Sequence, residues 1–521
     1  MVLKTILVTG MLLSAMASCT KDKTYAPAES FAEEKFNIFP KPQFSATASS
    51  GQSTGWVGDA MPYFSNGQFE VFFLHDAPDA VKQSSPGQHP IHKFSSKNLL
   101  DFNYDGEMIP YGNKSTQDFL IGTGSMLKAG NTNYFYYTGH NGGSSWLKNA
   151  NPAFAAANTV EAVMYATSTT LSGWSKKAGF ALKAPEGYAS SDFRDPFVFY
   201  NPEFGQYWMM VSAQKSGKGV ILVYTSTDPA TDKWDLRGPM VVEGDYLMLE
   251  CADVFKMDDK YFMLFAEDWS SSPGTHYRVA SSSAGPWLKP ADGMDMFDGH
   301  QFYAGRSASN GTERYAFGWA HRRNPENDNG TRTWGGNLII QQLTKSGNDK
   351  LVVSAPAAVK SYFTKDSAPV IAGQSGTVSH VSADYVLSGS AAPASYQFAA
   401  LNGTTMLKGS FSIDNLAGVA SIGFNAKGDH TASYLIKFQP ALKRIAAYNG
   451  DNEVTRVPFS FESNKIYNFS IVVDGSVAVL YLNDQIALTN RIYSAKASPW
   501  MINAEGLELK VNNLKVSNSA H

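Results

Sequence analysis

Three acidic residues stand at comparable places in the sequence, each next to an apolar segment that reads as a β-strand. Asp59 precedes MPYF, Asp195 precedes PFVF and Glu250 precedes CADVF. Hydrolysis of a glycosidic bond needs one carboxylic acid to protonate the leaving oxygen and one carboxylate to act as nucleophile or base. A single acidic residue in a β-protein is more often a turn cap or an ion-pair partner. The recurrence of the pattern therefore favours a site in which the three carboxylates converge.

The elements that would bring these carboxylates together are five hairpins with short turns between strand-like runs. Their sequences are MPYFSNGQFEVFF, GSMLKAGNTNYFYY, DPFVFYNPEFGQYWMMV, ADVFKMDDKYFMLF and QFYAGRSASNGTERYAFGWA. A second repeat, a strand ending in Ser or Thr followed by an aromatic, ends at Trp174, Trp234 and Trp287. Repeats of this kind predict an all-β, five-bladed β-propeller over residues 51–350, with the first strand of each blade lining a central funnel. A doubled β-sandwich is the alternative architecture.

The composition changes after the predicted propeller. Residues 354–394 are rich in Ala, Ser, Val and Gly, and alternating segments such as YLIKF, YNFSIVVDG, VAVLYLND and LELKVNNLKV follow. Alternation of apolar and polar residues is typical of strands with one buried face. The pattern predicts a C-terminal β-sandwich over residues 365–521.

The N-terminus reads as a targeting segment. Lys4 supplies a basic start, residues 6–16 are mostly apolar, and Met16-Ala17-Ser18-Cys19 resembles a bacterial lipobox. We therefore expect a signal peptide over residues 1–18, a lipid anchor on Cys19 and a polar tether over residues 19–50. This predicts an outer-membrane lipoprotein that faces the periplasm or the cell surface. An ordinary secretory signal with an incidental cysteine is the alternative.

Charge and cysteine content restrict the partners. The net charge is −3, with 43 basic and 46 acidic residues, and no run of like charge suggests a nucleic-acid partner. The only cysteines are Cys19 and Cys251, too few for a four-thiolate zinc site. No metal and no cofactor are expected, and the expected partner is an oligosaccharide or polysaccharide substrate.

The motifs around two of the carboxylates resemble those of a known family. Arg194-Asp195-Pro196 and Glu250-Cys251 are similar in order and spacing to the RDP and EC motifs of glycoside hydrolase family 32, the invertases, levanases and inulinases. Further similar segments are FYAGR, FGWA and WGGNLII. The resemblance covers about residues 56–516. It implies a five-bladed propeller joined to a β-sandwich.

The resemblance also implies roles for residues. Asp59 would be the nucleophile, Asp195 the stabiliser of the transition state and Glu250 the acid/base, with Arg194 holding hydroxyls and carboxylates. Further substrate contacts are expected from residues near the predicted funnel, namely Trp56, Ser125, His92, Asp298 and Trp319. Trp269 and Trp334 are additional candidates for stacking on a sugar.

The first motif departs from the family pattern, which reads Trp-Met-Asn-Asp-Pro-Asn-Gly. This chain has Trp56-Val57-Gly58-Asp59-Ala60-Met61-Pro62. The aspartate is kept, but Gly58 replaces the asparagine before it. The departure implies an altered pocket wall and a shifted substrate.

The expected function is cleavage of furanoside linkages, above all β-fructofuranosides such as levan, inulin or fructo-oligosaccharides, by a retaining mechanism. One alternative is a related propeller hydrolase that acts on arabinosides or xylosides by inversion. A second is a non-catalytic glycan-binding surface lipoprotein. Retention of all three carboxylates argues against the second, because a binding protein needs no acid/base residue.

Overall fold

The computed structural model describes residues 36–42, 55–76, 88–148, 159–496 and 499–519. The predicted signal peptide, the lipidation site at Cys19 and most of the predicted tether lie outside these ranges. Within them the α-helices are short, and none is long and apolar enough to cross a membrane. The helical elements are α1 (Ser144–Lys148), α2 (Ala357–Tyr362) and the 3-10 turns Pro229–Thr231, Gly347–Asp349 and Pro440–Leu442.

The first half of the molecule, residues 56–354, has twenty strands among its described residues. In chain order they are β1 (Trp56–Ser65), β2 (Gln68–Asp76), β3 (Ile91–Ser96), β4 (Asn103–Ile109), β5 (Leu120–Ala129), β6 (Thr132–His140), β7 (Glu161–Ser168), β8 (Ser175–Lys176), β9 (Leu182–Lys183), β10 (Phe193–Asn201), β11 (Gln206–Lys215), β12 (Lys218–Ser226), β13 (Asp235–Pro239), β14 (Glu250–Met257), β15 (Lys260–Glu267), β16 (Gly274–Ala280), β17 (Phe302–Ser309), β18 (Arg314–Asn324), β19 (Thr331–Ser346) and β20 (Lys350–Ser354).

These strands form antiparallel sheets of neighbouring segments. The sheets are β5-β6-β7-β8 with β9 on β7, β10-β11-β12-β13, and β14-β15-β16. A fourth sheet joins the beginning and the end of this half in the order β17-β18-β19-β1-β2-β3-β4, with β20 on β19. The register Val57↔Gly336 pairs β1 with β19 and so ties the first segment to the last.

Local sequence explains the hairpins. Asn66 and Gly67 connect β1 to β2 with φ values of 53° and 77°, and Ser216 and Gly217 connect β11 to β12 with 52° and 79°. Two-residue turns with positive φ match the twist of the strands they join, and Asn and Gly tolerate this conformation best. All five hairpins expected from the sequence are present.

The first strand of each hairpin contacts the first strand of the next. β1 contacts β5, β5 contacts β10, β10 contacts β14, β14 contacts β17, and β17 contacts β1. We call these five the inner strands. Their mutual contacts bring the starts of distant hairpins into one region.

The second half is a β-sandwich of fifteen strands. They are β21 (Lys365–Ser367), β22 (Ile371–Ser375), β23 (Thr377–Val381), β24 (Asp384–Ser388), β25 (Ala394–Phe398), β26 (Thr405–Ile413), β27 (Val419–Ala426), β28 (Ala432–Gln439), β29 (Arg444–Asn449), β30 (Asn452–Pro458), β31 (Tyr467–Asp474), β32 (Val477–Leu482), β33 (Ile486–Arg491), β34 (Trp500–Glu505) and β35 (Glu508–Asn518).

Two sheets make the sandwich. One has the order β23-β24-β35-β26-β31-β32-β33 with β21 on β35, and the other has the order β22-β25-β34-β27-β28-β29-β30. Their facing side chains form one apolar core that includes Leu407, Ile471, Ile422 and Ile436. Burial of these side chains is the main force that holds the sheets together.

A second apolar core joins the two halves. It contains Phe262 and Phe302 from the first half together with Val479 and Tyr481 from β32. The two halves therefore belong to one compact unit, Phe36–His521.

Part of the predicted tether belongs to this unit, which corrects the expected boundary. Ile38 and Phe39 are buried, and the backbone N–H groups of Asn37, Ile38 and Phe39 all donate to the Asp474 carboxylate. A carboxylate that accepts several backbone N–H groups fixes a segment that the polar composition alone describes as loose.

Candidate active site

Each inner strand carries a β-bulge near its start. The bulges fall between Val57 and Ala60, Gly122 and Gly124, Arg194 and Phe197, Glu250 and Asp253, and Tyr303 and Arg306. Asp59 and Asp195 lie within bulges, and Glu250 immediately precedes one. Since bulges re-aim side chains out of the regular alternation, they turn these carboxylates toward one region.

Three of the bulges hold a residue in the left-handed region of φ. Asp195 has φ 60°, Cys251 has φ 54° and Ala304 has φ 53°. Residues other than glycine adopt this conformation at a cost of about 1 to 3 kcal/mol each, and it persists only where the surroundings enforce it. These residues therefore need strong contacts to hold them.

The buried guanidinium of Arg306 supplies such contacts to two of these residues, Asp195 and Cys251. Its Nε donates to the Cys251 carbonyl at 3.2 Å, its Nη2 to the Asp195 carbonyl at 3.1 Å, and its Nη1 to the Gly124 carbonyl. One side chain from β17 thus binds the bulges of β14, β10 and β5. The planar fork of arginine suits this three-way arrangement.

Asp59 is held by two donors. Thr123 Oγ1 donates to Asp59 Oδ2 at 2.5 Å, and Trp319 Nε1 donates to Asp59 Oδ1 at 3.0 Å. Both hydrogen bonds favour the ionised carboxylate. They come from two other strands, β5 and β18.

Glu250 is held by a different set. Arg194 donates to Glu250 Oε1 through Nη2 at 2.9 Å and Nε at 3.2 Å, and Tyr303 Oη donates to Oε2 at 2.7 Å. Arg194 also contacts Glu161 and Asp192 through Nη1 at 3.4 and 3.0 Å. The guanidinium therefore ties Glu250 to a wider acidic cluster.

Asp195 lies deepest of the three and is buried. The Cys251 backbone N–H donates to Asp195 Oδ2 at 3.0 Å, and the Thr138 hydroxyl accepts from the Asp195 backbone N–H at 2.8 Å. The buried Cys251 thiol lies 3.8 Å from the same Oδ2. Burial and the nearby carboxylates raise the pKa of this thiol far above its usual value, so it stays protonated.

Burial, and to a smaller extent the proximity of the other carboxylates, raises the pKa of each of the three acidic residues. Burial raises the pKa of Asp59, and the charge of Glu250 adds to the increase. Burial raises the pKa of Asp195 to about 6, against the opposing charges of Arg194 and Arg306. Burial also raises the pKa of Glu250, which Arg194 opposes and Asp195 reinforces. In carboxylate clusters of this kind, the surroundings of each carboxyl group decide which of them holds a proton.

The structure does not bring Asp298 to this group, which corrects its predicted role. Asp298 is buried beneath the sandwich, where its carboxylate accepts from the Thr489 backbone N–H at 2.7 Å, the Thr489 hydroxyl at 2.6 Å and Gln341 Nε2 at 2.5 Å. Its position in the sequence matches the last hairpin, but two of these three hydrogen bonds come from Thr489 in the other half. Asp298 is a structural contact between the halves.

Other predicted substrate contacts also have structural partners. Ser125 is buried and its hydroxyl accepts the Val198 backbone N–H at 2.8 Å, which joins β5 to β10. His92 is buried on β3, with Nδ1 2.6 Å from Tyr104 Oη and its ring stacked on His75. Both side chains are buried on their strands, so each contacts other parts of the protein.

Trp56 lies at the edge of β1. Its indole Nε1 donates to Glu326 Oε1 at 2.8 Å, and the Arg322 guanidinium lies 3.8 Å from its ring centre. Trp319 is fully buried and contacts Asp59 directly, so among the predicted aromatic contacts it is the one placed in the carboxylate group.

Sequence reasoning assigned no role to three residues that complete the site. Tyr303 and Arg306 lie in the FYAGR segment, and Thr123 lies at the bulge of β5. Alignment of the five hairpins by their bulges would have placed all three beside the carboxylates.

A cleft of about 730 Å³ lies between the first half and the sandwich, apart from the carboxylates. Tyr246, His300, Arg444 and Glu453 are among its lining residues, whereas none of the three carboxylates is.

The raised pKa of Asp59 predicts the effect of Asp59→Asn on stability. The unfolded chain ionises this carboxyl first, so the wild type loses stability as pH rises from about 4 through the folded-state pKa. At pH 7, Asp59→Asn should therefore melt roughly 1 to 3 °C higher than the wild type. At pH 3.5 the two proteins should melt at the same temperature.

Calorimetry across this pH range tests the expectation, with the exposed Asp451→Asn as control. A variant that is less stable at pH 7, or a difference independent of pH, would show that burial does not disfavour the Asp59 charge.

Comparison with known proteins places this chain in a family. The model of the glycosyl hydrolases family 32 N-terminal domain matches residues 52–356, and that of the GH32, BT1760-like, C-terminal domain matches residues 350–516. The chain is 26% identical over 310 residues to the raffinose invertase of Escherichia coli, over 55% of this chain and 59% of that protein. The chain thus spans about three fifths of the length of the curated relatives it matches.

Two solved structures share the fold. The β-fructofuranosidase of Aspergillus kawachii superposes with a TM-score of 0.69 at 15% identity, over 94% of each chain. The exo-inulinase of Aspergillus awamori superposes with a TM-score of 0.65 at 17% identity, over 93% of this chain and 98% of the other. Because the N-terminal family model matches more than half of the sequence, the chain belongs to glycosyl hydrolase family 32.

Proposed function

We propose that this protein hydrolyses β-fructofuranosides, most directly the linkages of fructans or fructo-oligosaccharides, with retention of configuration. The observation that carries the proposal is the convergence of Asp59, Asp195 and Glu250 from three bulged strands. The similar proteins, a raffinose invertase, a β-fructofuranosidase and an exo-inulinase, support a fructosyl substrate.

Asp59 is the nucleophile in this proposal. Its two hydrogen bonds, from the Thr123 hydroxyl and the Trp319 indole, favour the charged form and fix the direction of the carboxylate. Attack by Asp59 on the anomeric carbon of the fructosyl unit forms a covalent ester while the bond to the leaving oxygen breaks.

Glu250 is the acid/base. Burial raises its pKa, which favours the protonated carboxyl, and in this proposal the proton passes to the leaving oxygen as the glycosidic bond breaks. Glu250 then takes a proton from water, which attacks the ester and releases fructose and free Asp59. Arg194 and Tyr303 orient the carboxyl throughout.

Asp195 stabilises the transition state. Its buried carboxylate, fixed by the Cys251 backbone N–H, provides negative charge near the oxocarbenium-like centre and can accept hydroxyls of the sugar. Substitution of Asp195 should therefore lower kcat while leaving the nucleophile Asp59 and the acid/base Glu250 in place.

A five-bladed propeller is our proposal for the first half. The cyclic contacts of the inner strands β1, β5, β10, β14 and β17, and the pairing of β1 with β19, support five blades around one funnel. A doubled sandwich would instead pack two sheets face to face.

Product analysis tests the function. Wild-type protein should release fructose or fructo-oligosaccharides from at least one of levan, inulin and sucrose, and NMR should show the β-anomer first. Asp59→Asn and Glu250→Gln should each lose at least about 10³-fold in turnover, because each removes one covalent or proton-transfer partner.

Three results would contradict the proposal. Early appearance of the inverted anomer would favour the inverting mechanism, and activity only on arabinan or xylan would move the substrate to another sugar. Binding of fructans without hydrolysis would leave the glycan-binding alternative. Circular dichroism of both variants is the control for folding.

We also propose that the protein is an outer-membrane lipoprotein anchored through Cys19. The basic start, apolar stretch and lipobox-like end of residues 1–19 support this. Radiolabelled palmitate should be incorporated into the wild type and not into Cys19→Ala. Equal labelling of both, or of neither, would contradict the anchor.

A further inference from the structure

Gly58, next to Asp59, leaves a space that the indole of Trp334 fills. A Cβ placed on Gly58 would lie 1.9 Å from Cη2 and 2.2 Å from Cζ2 of Trp334. Such distances are far below van der Waals contact, so any side chain at position 58 would displace the ring. The position of Trp334 therefore depends on a glycine in the segment that carries Asp59.

Two aromatic rings hold Trp334 in place. His89 stacks on it with ring centres 4.3 Å apart and an interplanar angle of 24°, and Trp319 lies 5.6 Å away at 60°. Trp319 in turn donates to Asp59. The three rings form an aromatic wall, defined here as His89, Trp334 and Trp319, that ends at Asp59.

The wall is uncharged near neutral pH. Burial lowers the pKa of His89 to about 4, although Asp76 opposes the change, so the imidazole is neutral. His89 also has φ 49°, a conformation that a residue other than glycine adopts only where contacts enforce it. His89 is therefore a neutral packing partner of the Trp334 indole, held in place by a left-handed backbone conformation.

Trp334 is partly exposed to solvent. The residue is half-buried, whereas Trp319 is fully buried. A partly exposed indole next to the segment that carries Asp59 suits the C–H face of a sugar ring, because such faces are apolar and stack on aromatic rings.

We propose that Trp334 is a sugar-contacting residue for the unit bound at Asp59, and that Gly58 is the specificity-determining residue that allows it to lie there. The inference rests on the proposed function for the identity of the sugar. It predicts recognition of a neutral furanose largely by ring stacking on this side of the pocket.

Steady-state kinetics on fructo-oligosaccharides test both residues. Trp334→Ala should raise KM about tenfold, whereas Trp334→Phe, which keeps a ring, should stay within about threefold. Gly58→Ala should also raise KM about tenfold, because its methyl group displaces the indole. Gly347→Ala, where a Cβ meets open space, is the matched control and should leave KM unchanged.

The double variant separates the proposed coupling from two independent defects. If Gly58 acts through Trp334, Gly58→Ala combined with Trp334→Ala should have the KM of Trp334→Ala alone. A further tenfold loss in the double variant would overturn the role of Gly58. A wild-type KM in Trp334→Ala would overturn the role of Trp334.

Binding measurements distinguish this inference from the proposed function. Isothermal titration of fructo-oligosaccharide into Glu250→Gln, with and without Trp334→Ala, reads affinity without turnover. A wild type that binds but does not hydrolyse would contradict the proposed function, while an affinity drop on removal of Trp334 would still support the stacking contact. Equal affinities, or no binding to either protein, would overturn the contact, and melting curves confirm that each variant folds.

Discussion

The site depends on one buried cation that binds the backbone of three strands. Arg306 donates to the carbonyl groups of Gly124, Asp195 and Cys251, which belong to β5, β10 and β14. Carbonyl groups inside bulges lose their ladder partners and need other donors when buried. The guanidinium provides these bonds and also places positive charge beside carboxylates that would otherwise repel one another. Left-handed backbone at Asp195 and Cys251 follows from this constraint.

Once the bulges are fixed, each carboxylate has its own hydrogen-bond partners. Asp59 accepts from a hydroxyl and an indole, whereas Glu250 accepts from the guanidinium of Arg194 and the phenol of Tyr303. The donors come from several strands, so no single hairpin could build the site. The apolar core between the halves holds the last hairpin, which carries Tyr303 and Arg306, against the sandwich. The sandwich thus supports the site without contributing a carboxylate.

Local features of the sequence predicted much of this arrangement. Hairpin turns such as Asn66-Gly67 and the recurring acidic positions depend on neighbours in the chain, so the hairpins and the three carboxylates could be recognised. Asp298 could not be placed, because its partner Thr489 lies in the other half and nothing near Asp298 in the sequence indicates it. The contacts of Ser125 and of the segment at Ile38 could not be predicted for the same reason. Ser125 bonds a distant backbone group, and Ile38 bonds a distant carboxylate. Contacts between distant segments are what sequence patterns leave out.

The central claim is that Asp59 forms a covalent bond to the sugar, and mass spectrometry tests it most directly. Glu250→Gln incubated with fructofuranosyl fluoride, whose leaving group needs no acid, should accumulate an adduct of one fructosyl unit, because the variant lacks the base for the second step. Peptide mapping should place the adduct on Asp59. An adduct on another residue, or rapid fluoride release with no adduct at any time, would contradict the account.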